Sequence, residues 1–225
     1  MAKYLNILAL DTALGGCTAS VVAGDRACTK SKVMPRGQAE HLVPFAQEAM
    51  RTCGLKYEEL DAVLCTIGPG AFTGLRIGMS AARTFAFSCN VPVFGISTMH
   101  ALALNYSGHD PFAVVVETKR SDFYVQKFTA DAEEDSAPAA LEYDELVRTL
   151  DAETVLIGDG VGRFLSKGGD FKNIDGYELP DMGEICDVFR ASGGKHPFFV
   201  PDPLPLYLRG ADVSQPKKQP RVLAG

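Results

Sequence analysis

The sequence has no apolar run approaching the roughly 18 residues that a membrane-spanning helix needs, so we expect no membrane insertion. The N-terminal stretch carries a single lysine and no small-residue cleavage site, which argues against a signal peptide. The six cysteines lie far apart and form no C-x-x-C pair. We interpret them as free thiols of a cytoplasmic protein.

Several motifs of catalytic chemistry are also missing. The four histidines form no H-x-x-x-H or H-E-x-x-H pair, so the sequence predicts no metal site. There is no G-x-S-x-G nucleophile elbow and no G-K-[ST] phosphate loop. These absences argue against a metalloprotease, a serine hydrolase of that type and a P-loop nucleotidase.

The composition is that of an ordinary globular protein. Of 225 residues, 46% are apolar and 22% are charged, and the formal net charge is −6. This length predicts one large domain or two small ones. The acidic balance argues against a broad nucleic-acid-binding face, but it leaves room for work on RNA beside a basic partner.

The hydrophobic pattern of the first half alternates between strand and helix periods, which predicts an α/β fold with a mixed sheet. A strand that ends at Asp11 is followed by a hairpin and a third strand. Thr73 is the expected N-cap of the second helix, and Ser97 that of the third. The predicted strands are 5–10, 17–24, 27–34, 61–67 and 92–96, and the predicted helices are 39–53, 74–88 and 98–106.

The second half repeats this alternation more weakly. A linker at 105–111 divides the chain into expected units of 1–107 and 108–225. An acidic stretch at 130–140 is expected to be an exposed loop, and a mobile tail is expected after Arg209. The predicted strands are 112–117, 122–129 and 154–158, and the predicted helices are 142–150 and 182–192.

Asp11 and Thr12 come where the first strand ends and the chain turns. A carboxylate there can hold a metal-bound phosphate, and the threonine hydroxyl can contact its oxygens. Alternatively, Asp11 only forms the turn by bonding its own backbone, and for this pair alone that interpretation is favoured.

A glycine-rich loop precedes the second helix. Gly68, Pro69, Gly70 and Gly74 define a tight loop that should expose Phe72 and a helix N-terminus able to bind an anion. Alternatively, the loop only shapes the entry to a packed helix. That helix carries small residues such as Gly78 and Ala82 beside apolar ones. Its face is either fully buried or half of an interface, and periodicity does not separate the two.

Several segments together resemble the bacterial TsaB (YeaZ) family, once grouped with glycoproteases. The most specific segment is Gly68–Gly78, GPGAFTGLRIG, which contains Thr73 and Arg76 and matches the family pattern GPGSFTGLRIG. Further matches are Ile7–Thr12, Arg36–Pro44, Val91–Thr98, Glu117–Lys119 with Tyr124, Gly158–Gly160 and Tyr207–Arg209.

The resemblance implies the actin, heat-shock-protein and sugar-kinase (ASKHA) fold, with two related lobes of mixed sheets, the second lobe reduced. It implies a non-catalytic activating subunit that works with TsaD and TsaE. Together they form N6-threonylcarbamoyladenosine at position 37 of tRNAs that read codons beginning with A. No intrinsic cofactor is expected, since ATP or ADP belongs mainly to the TsaD partner.

The resemblance also implies where the partner binds. TsaD should pair with helices at about 38–53 and 74–88, and the chain alone could form a homodimer through the same surface. The expected interface residues are Leu42, Ala46, Met50, Leu75, Gly78, Met79, Ala82 and Phe85.

Four positions depart from the family pattern. Gln38 replaces a histidine, Ala71 a serine, Glu117 an aspartate and Lys119 an arginine. These changes weaken the case for an intrinsic catalytic site. The alternative function is an ATP-dependent phosphotransferase of the same superfamily that uses Asp11, and a metalloprotease ranks last.

Overall fold

The computed structural model describes residues 6–168 and 170–209. Within this part of the chain, ten strands form two sheets, with helices packed on them. In chain order the elements are β1 (Asn6–Asp11), β2 (Gly16–Ala23), β3 (Arg26–Val33), α1 (Gln38–Cys53), a short 3₁₀ helix (Tyr57–Glu59), β4 (Ala62–Thr66), α2 (Phe72–Cys89), β5 (Val93–Ile96), α3 (Thr98–Asn105), β6 (Phe112–Glu117), β7 (Asp122–Phe128), β8 (Ala139–Glu142), α4 (Tyr143–Thr149), β9 (Val155–Ile157), α5 (Val161–Ser166), α6 (Met182–Ala191) and β10 (Val200–Pro201).

The first sheet has six strands in the order β10-β5-β4-β1-β2-β3. It is mixed, because β1 pairs antiparallel with β2 but parallel with β4. Both of its faces are covered: Leu8 and Leu10 pack beneath α1 and α2, whereas Ile7 and Ala9 pack beneath α6. This two-sided burial explains why β1 is almost continuously apolar rather than alternating and why every residue of β2 is buried.

The second sheet has four strands in the order β8-β7-β6-β9, and it too is mixed. One face packs against α4 and α5. The other face packs against α3 and against residues of the first unit, so that Phe112 and Val114 share a core with Leu14 and Leu75. The two sheets are therefore joined through a common apolar layer.

Most predicted elements are confirmed to within about two residues. Gly54 ends α1 in a left-handed conformation, and the Ser97 hydroxyl accepts a hydrogen bond from the His100 N–H (3.0 Å) at the start of α3. Pro44 lies inside α1 without ending it.

Two expectations were wrong, and one helix was not predicted. The N-cap of α2 is Ala71 and not Thr73, because helical geometry already begins at Phe72 and Thr73 lies within the first turn. The stretch 130–140 is not only a loop: Glu134 forms a bridge with Phe128, and β8 begins at Ala139. Helix α5 was not predicted, because its six residues are too few for a readable helical period.

The chain returns to the first sheet after completing the second. Helix α6 covers one face of the first sheet, and β10 extends its edge by pairing with β5. The expected unit 108–225 therefore includes a segment that completes the first sheet, while the division itself stays a prediction. The tail after Arg209 lies outside the described residues. None of the described helices is long and apolar enough to span a membrane.

Candidate functional site

Asp11 lies at the end of β1, and its side chain is fully buried. Its Oδ1 accepts hydrogen bonds from the Thr66 hydroxyl (2.6 Å) and the Ala13 N–H (3.1 Å). Within the described residues its Oδ2 has no hydrogen-bond partner. Burial raises the pKa of Asp11 above its usual range, against the lowering effect of these two hydrogen bonds. The hydrogen bond from the Ala13 N–H is the contact expected if Asp11 only forms the turn by bonding its own backbone.

The hydroxyl of Thr12 forms a hydrogen bond with α2. It donates to the Gly74 carbonyl oxygen (2.7 Å), and the residue is 1% exposed. A Cβ atom at Gly78 would lie 2.6 Å from this hydroxyl oxygen, so the helix leaves no space around it. A phosphate group could contact Thr12 only after this packing opened.

The glycines of the loop allow two backbone segments to touch. A Cβ atom at Gly70 would lie 2.3 Å from the Ala13 carbonyl oxygen, and one at Gly74 would lie 2.0 Å from the Thr12 carbonyl oxygen. The Ala71 N–H donates to the Ala13 oxygen (2.8 Å). The loop therefore docks α2 onto the turn after β1. This agrees with the alternative in which the loop shapes the entry to a packed helix.

A second acid, Asp159, is partly buried, and the negative charge of Asp11 contributes to its electrostatic environment. It follows β9 in the Gly158–Gly160 segment, and its Oδ1 accepts a hydrogen bond from the Glu117 N–H (2.9 Å). Burial raises its pKa to about 6, and the negative charges of Glu117 and Asp11 act in the same direction. Sequence analysis identified the segment but not this interaction, because the two acids are 148 positions apart.

Motifs that are scattered in the sequence line one cavity of about 330 Å³, where the loop before α2, the turn between β6 and β7 and residues 206–209 meet. Phe72 and Tyr207 stand at its wall, 45% and 42% exposed, with ring centroids 5.4 Å apart. The Arg76 guanidinium lies 3.9 Å from the centre of the Phe72 ring. The other lining residues include Pro69, Gly70, Glu117, Thr118, Lys119, Arg120, Tyr124 and Arg209.

Arg163 holds Glu117, one of the residues that line this cavity, in place. Its Nε lies 2.5 Å from Glu117 Oε2, and its Nη2 donates to the Asp122 carbonyl oxygen (2.6 Å). The Asp122 carboxylate accepts from Arg209 and also from the Thr118 hydroxyl (2.9 Å). Sequence analysis missed Arg163 because it lies on the unpredicted helix α5.

Seven of the eight expected interface residues are buried within the chain itself. Leu42, Ala46, Met50, Met79 and Ala82 belong to the core beneath α1 and α2. Leu75 belongs to the core shared with the second sheet, and Gly78 is buried against Thr12. The small-residue stripe of α2 faces its own sheet, because small side chains let the helix approach closely. Among the eight, only Phe85 is partly exposed.

The outer faces of α1 and α2 enclose a cavity of about 640 Å³, which we call the α1–α2 groove. Val43 on α1 is 41% exposed, and the rings of Phe85 and Tyr57 stack with centroids 5.8 Å apart. Its lining residues are Val43, Gln47, Tyr57, Glu58, Ala81, Thr84, Phe85, Ser88 and Cys89. It is a largely apolar surface on two of the predicted helices, and of the eight expected interface residues only Phe85 lines it.

Among the described residues, no group of three or more His, Cys, Asp or Glu side chains is arranged to hold a metal ion.

The chain is similar to a known protein family, to curated relatives and to solved structures. Residues 32–195 match the family model described as TsaD, tRNA N6-adenosine threonylcarbamoyltransferase. The chain is 26% identical over 166 residues to the Escherichia coli tRNA threonylcarbamoyladenosine biosynthesis protein TsaB. The solved structure of YeaZ from Pseudomonas aeruginosa has a TM-score of 0.75 and 25% identity, covering 90% of this chain and 99% of that one.

The chain belongs to the TsaB (YeaZ) family.

The extent of the matches varies among members and relatives of the TsaB family. The E. coli alignment covers 69% of this chain and 72% of that protein. The alignment with the uncharacterized protein ML0378 of Mycobacterium leprae is 32% identical, but covers 54% of this chain and 35% of that protein. The chain thus spans about a third of that longer relative.

The close packing of the glycine-rich TsaB-family loop predicts that Gly74→Ala is destabilising. Its new methyl group would meet the Thr12 backbone, which cannot rotate away. We expect a loss of about 3 kcal/mol in the free energy of unfolding, measured by urea denaturation.

The matched control is Gly162→Ala, also within a helix, where a Cβ atom would meet nothing within 4 Å. It should stay within about 1 kcal/mol of the wild type. Equal stability of the two variants would contradict the docking role of the loop.

The raised pKa of Asp159 predicts a pH-dependent effect of Asp159→Asn. Folding raises the pKa from 3.8 to about 6, so the folded state holds the proton more tightly. The wild type therefore loses stability as the pH rises through this window, and asparagine does not. At about pH 7 the variant should be more stable by about 1–3 kcal/mol, and the gain should disappear near pH 4.

The asparagine introduced in this variant keeps an Oδ1 acceptor for the Glu117 N–H, so the comparison isolates the charge. The control is Asp131→Asn at an exposed position. A gain for Asp159→Asn that is the same at both pH values would contradict this prediction.

Proposed function

We propose that this chain takes part in tRNA threonylcarbamoyladenosine biosynthesis as a non-catalytic activating subunit, and that its α1–α2 groove binds a TsaD-type protein. Relatives named for this pathway support the first part, among them the TsaB proteins of E. coli and Haemophilus influenzae. The observation that carries the second part is the exposed apolar groove on the two helices that the family resemblance assigns to the partner.

The composition of the groove fits a protein partner. Val43, Ala81 and Phe85 present apolar surface, while Gln47 and Thr84 supply polar groups around it. Phe87 lies on α2 near the groove and is 89% exposed, which is unusual for so large an apolar side chain. Covering this surface with two helices of a partner would remove it from water, which is the main favourable contribution to association.

The corner around Asp11 supports an activating rather than a catalytic role. Asp11 is fully buried and the Thr12 hydroxyl is bonded to α2, so neither side chain is accessible to a phosphate in this packing. The Thr12 side chain holds α2 against the end of β1, whereas the Asp11 side chain links β1 to β4 and to its own turn. Under this proposal ATP or ADP binds mainly to the TsaD-type partner, whereas TsaE and tRNA join through the complex.

The same proposal assigns the two sheets to the two lobes of a reduced ASKHA-type fold and places the protein in the cytoplasm. The common apolar layer between the sheets supports the first point, because it holds them as one body rather than as two independent modules.

Reconstitution of tRNA modification tests the proposal. Purified TsaC-, TsaD- and TsaE-type proteins of one organism should form threonylcarbamoyladenosine only when this chain is added, and this chain alone should form none. Full modification without it would contradict an activating role. Specific ATP binding by the isolated chain, with phosphate transfer, would favour the phosphotransferase alternative.

The groove predicts that Val43→Glu weakens partner binding. The new carboxylate would be desolvated at the centre of an apolar contact, so we expect at least a tenfold loss in affinity by isothermal titration, with the melting temperature unchanged. In the reconstituted reaction the variant should need a correspondingly higher concentration.

The matched control is Ile174→Glu, whose wild-type side chain is 43% exposed against 41% for Val43 but lies outside the groove. It should bind the partner as the wild type does. Wild-type affinity of Val43→Glu would reject the groove as the partner surface. Loss of only a homodimer, seen by sedimentation, would assign the groove to self-association.

A further inference from the structure

Cys28 lies on the face of the first sheet that α1 covers. In the antiparallel ladder between β2 and β3, Cys28 stands directly opposite Val21. Directly opposite residues point to the same face of a sheet. Val21 belongs to the core beneath α1, and Cys28 packs against that same core while remaining partly exposed.

Cys53 reaches the same place from the helix. It is the last residue of α1, where Gly54 ends the helix, and it is fully buried. Its thiol donates to the Val21 carbonyl oxygen, with 3.4 Å between the sulfur and the oxygen. The Cys28 thiol is near enough to Cys53 to contribute, after burial, to raising the pKa of the Cys53 thiol. Two free thiols from different elements therefore meet beside Val21.

We propose that Cys28 and Cys53 form an oxidation site, at which a peroxide converts the two thiols into an intrachain disulfide that ties the end of α1 to β3.

The reaction begins at Cys28, because its side chain is the partly exposed one. Its sulfur attacks one peroxide oxygen, the O–O bond breaks, and the products are a sulfenic acid and water. The Cys53 sulfur then attacks the Cys28 sulfur, and the S–O bond breaks. The departing hydroxide takes the Cys53 proton and leaves as a second water. Overall, two thiols and one hydrogen peroxide give one disulfide and two waters.

The environment of Cys53 suits the second step rather than the first. Burial, together with the Cys28 thiol, raises the pKa of Cys53 to about 12, so this sulfur is poorly reactive towards an oxidant in solution. It is instead held beside the one sulfur with which it would react. Of the other cysteines, Cys17, Cys65 and Cys186 are buried, so none of these three presents a partly exposed thiol for the first step, and Cys89 lies in the α1–α2 groove.

Tryptic peptide mapping of the full chain tests this directly. The reduced protein is treated with near-stoichiometric hydrogen peroxide, quenched with an alkylating agent and digested without reductant. The cleavage sites place Cys28 in peptide 27–30 and Cys53 in peptide 52–56. We expect these two peptides as one linked species, two hydrogen masses below their sum, and its disappearance after treatment with dithiothreitol.

Variants identify the pair and measure its effect. Cys28→Ser should abolish the linked species, and Cys89→Ser, which also replaces a partly exposed thiol, should leave it unchanged. Because the link closes a loop in the unfolded chain, the oxidised wild type should melt roughly 5 °C or more above the reduced protein, and Cys28→Ser should show no such shift.

Three results would overturn the proposal: Cys28 recovered as a sulfinic acid without a link, Cys28 linked to a different cysteine, or both peptides recovered as alkylated thiols while Cys89 is oxidised. All three readouts come from the wild-type chain, so they do not depend on the folding of any variant.

Discussion

The structure depends on one backbone contact, the docking of the loop at Gly68–Gly74 onto the turn that follows β1. At Gly70 and Gly74 the two main chains approach so closely that no Cβ atom fits between them. The contact fixes the start of α2, and through it the position of Leu75 in the core that both sheets share. The groove on the outside of α2 and the cavity beside Phe72 therefore take their geometry from the same few atoms.

This contact also decides whether the polar residues beside it bind a ligand or serve packing. An aspartate, a threonine and a glycine-rich helix entry are typical of a phosphate site when they surround open space. Here Thr12 bonds to the Gly74 carbonyl oxygen and Asp11 to its own turn, so the same residue types act as packing groups. The partly exposed groups lie farther out, around Lys119 and Tyr207.

Sequence analysis predicted the elements well wherever a long hydrophobic period was present. Helix α1 with its Gly54 stop and the strands of the first sheet are examples, because each buries a face that imposes its own spacing. It failed where long-range partners decide the structure. The stripe of small residues on α2 was ambiguous, since a close-packed sheet and a close-packed partner helix require the same side chains. The contacts of Arg163 and Asp159 were not predicted, because their partners are distant in the sequence.

The return of the chain to the first sheet has a consequence for synthesis on the ribosome. The N-terminal 107 residues emerge with the outer edge of β5 unpaired and with the apolar face around Ile7 and Ala9 uncovered. The face is covered by α6 and the edge is paired by β10, some 75 or more residues later. An edge strand and an apolar face left open in this way invite pairing with other chains. Helix α6 and strand β10 therefore protect this edge and this face, and the nascent chain remains vulnerable to misassociation until both elements have been made.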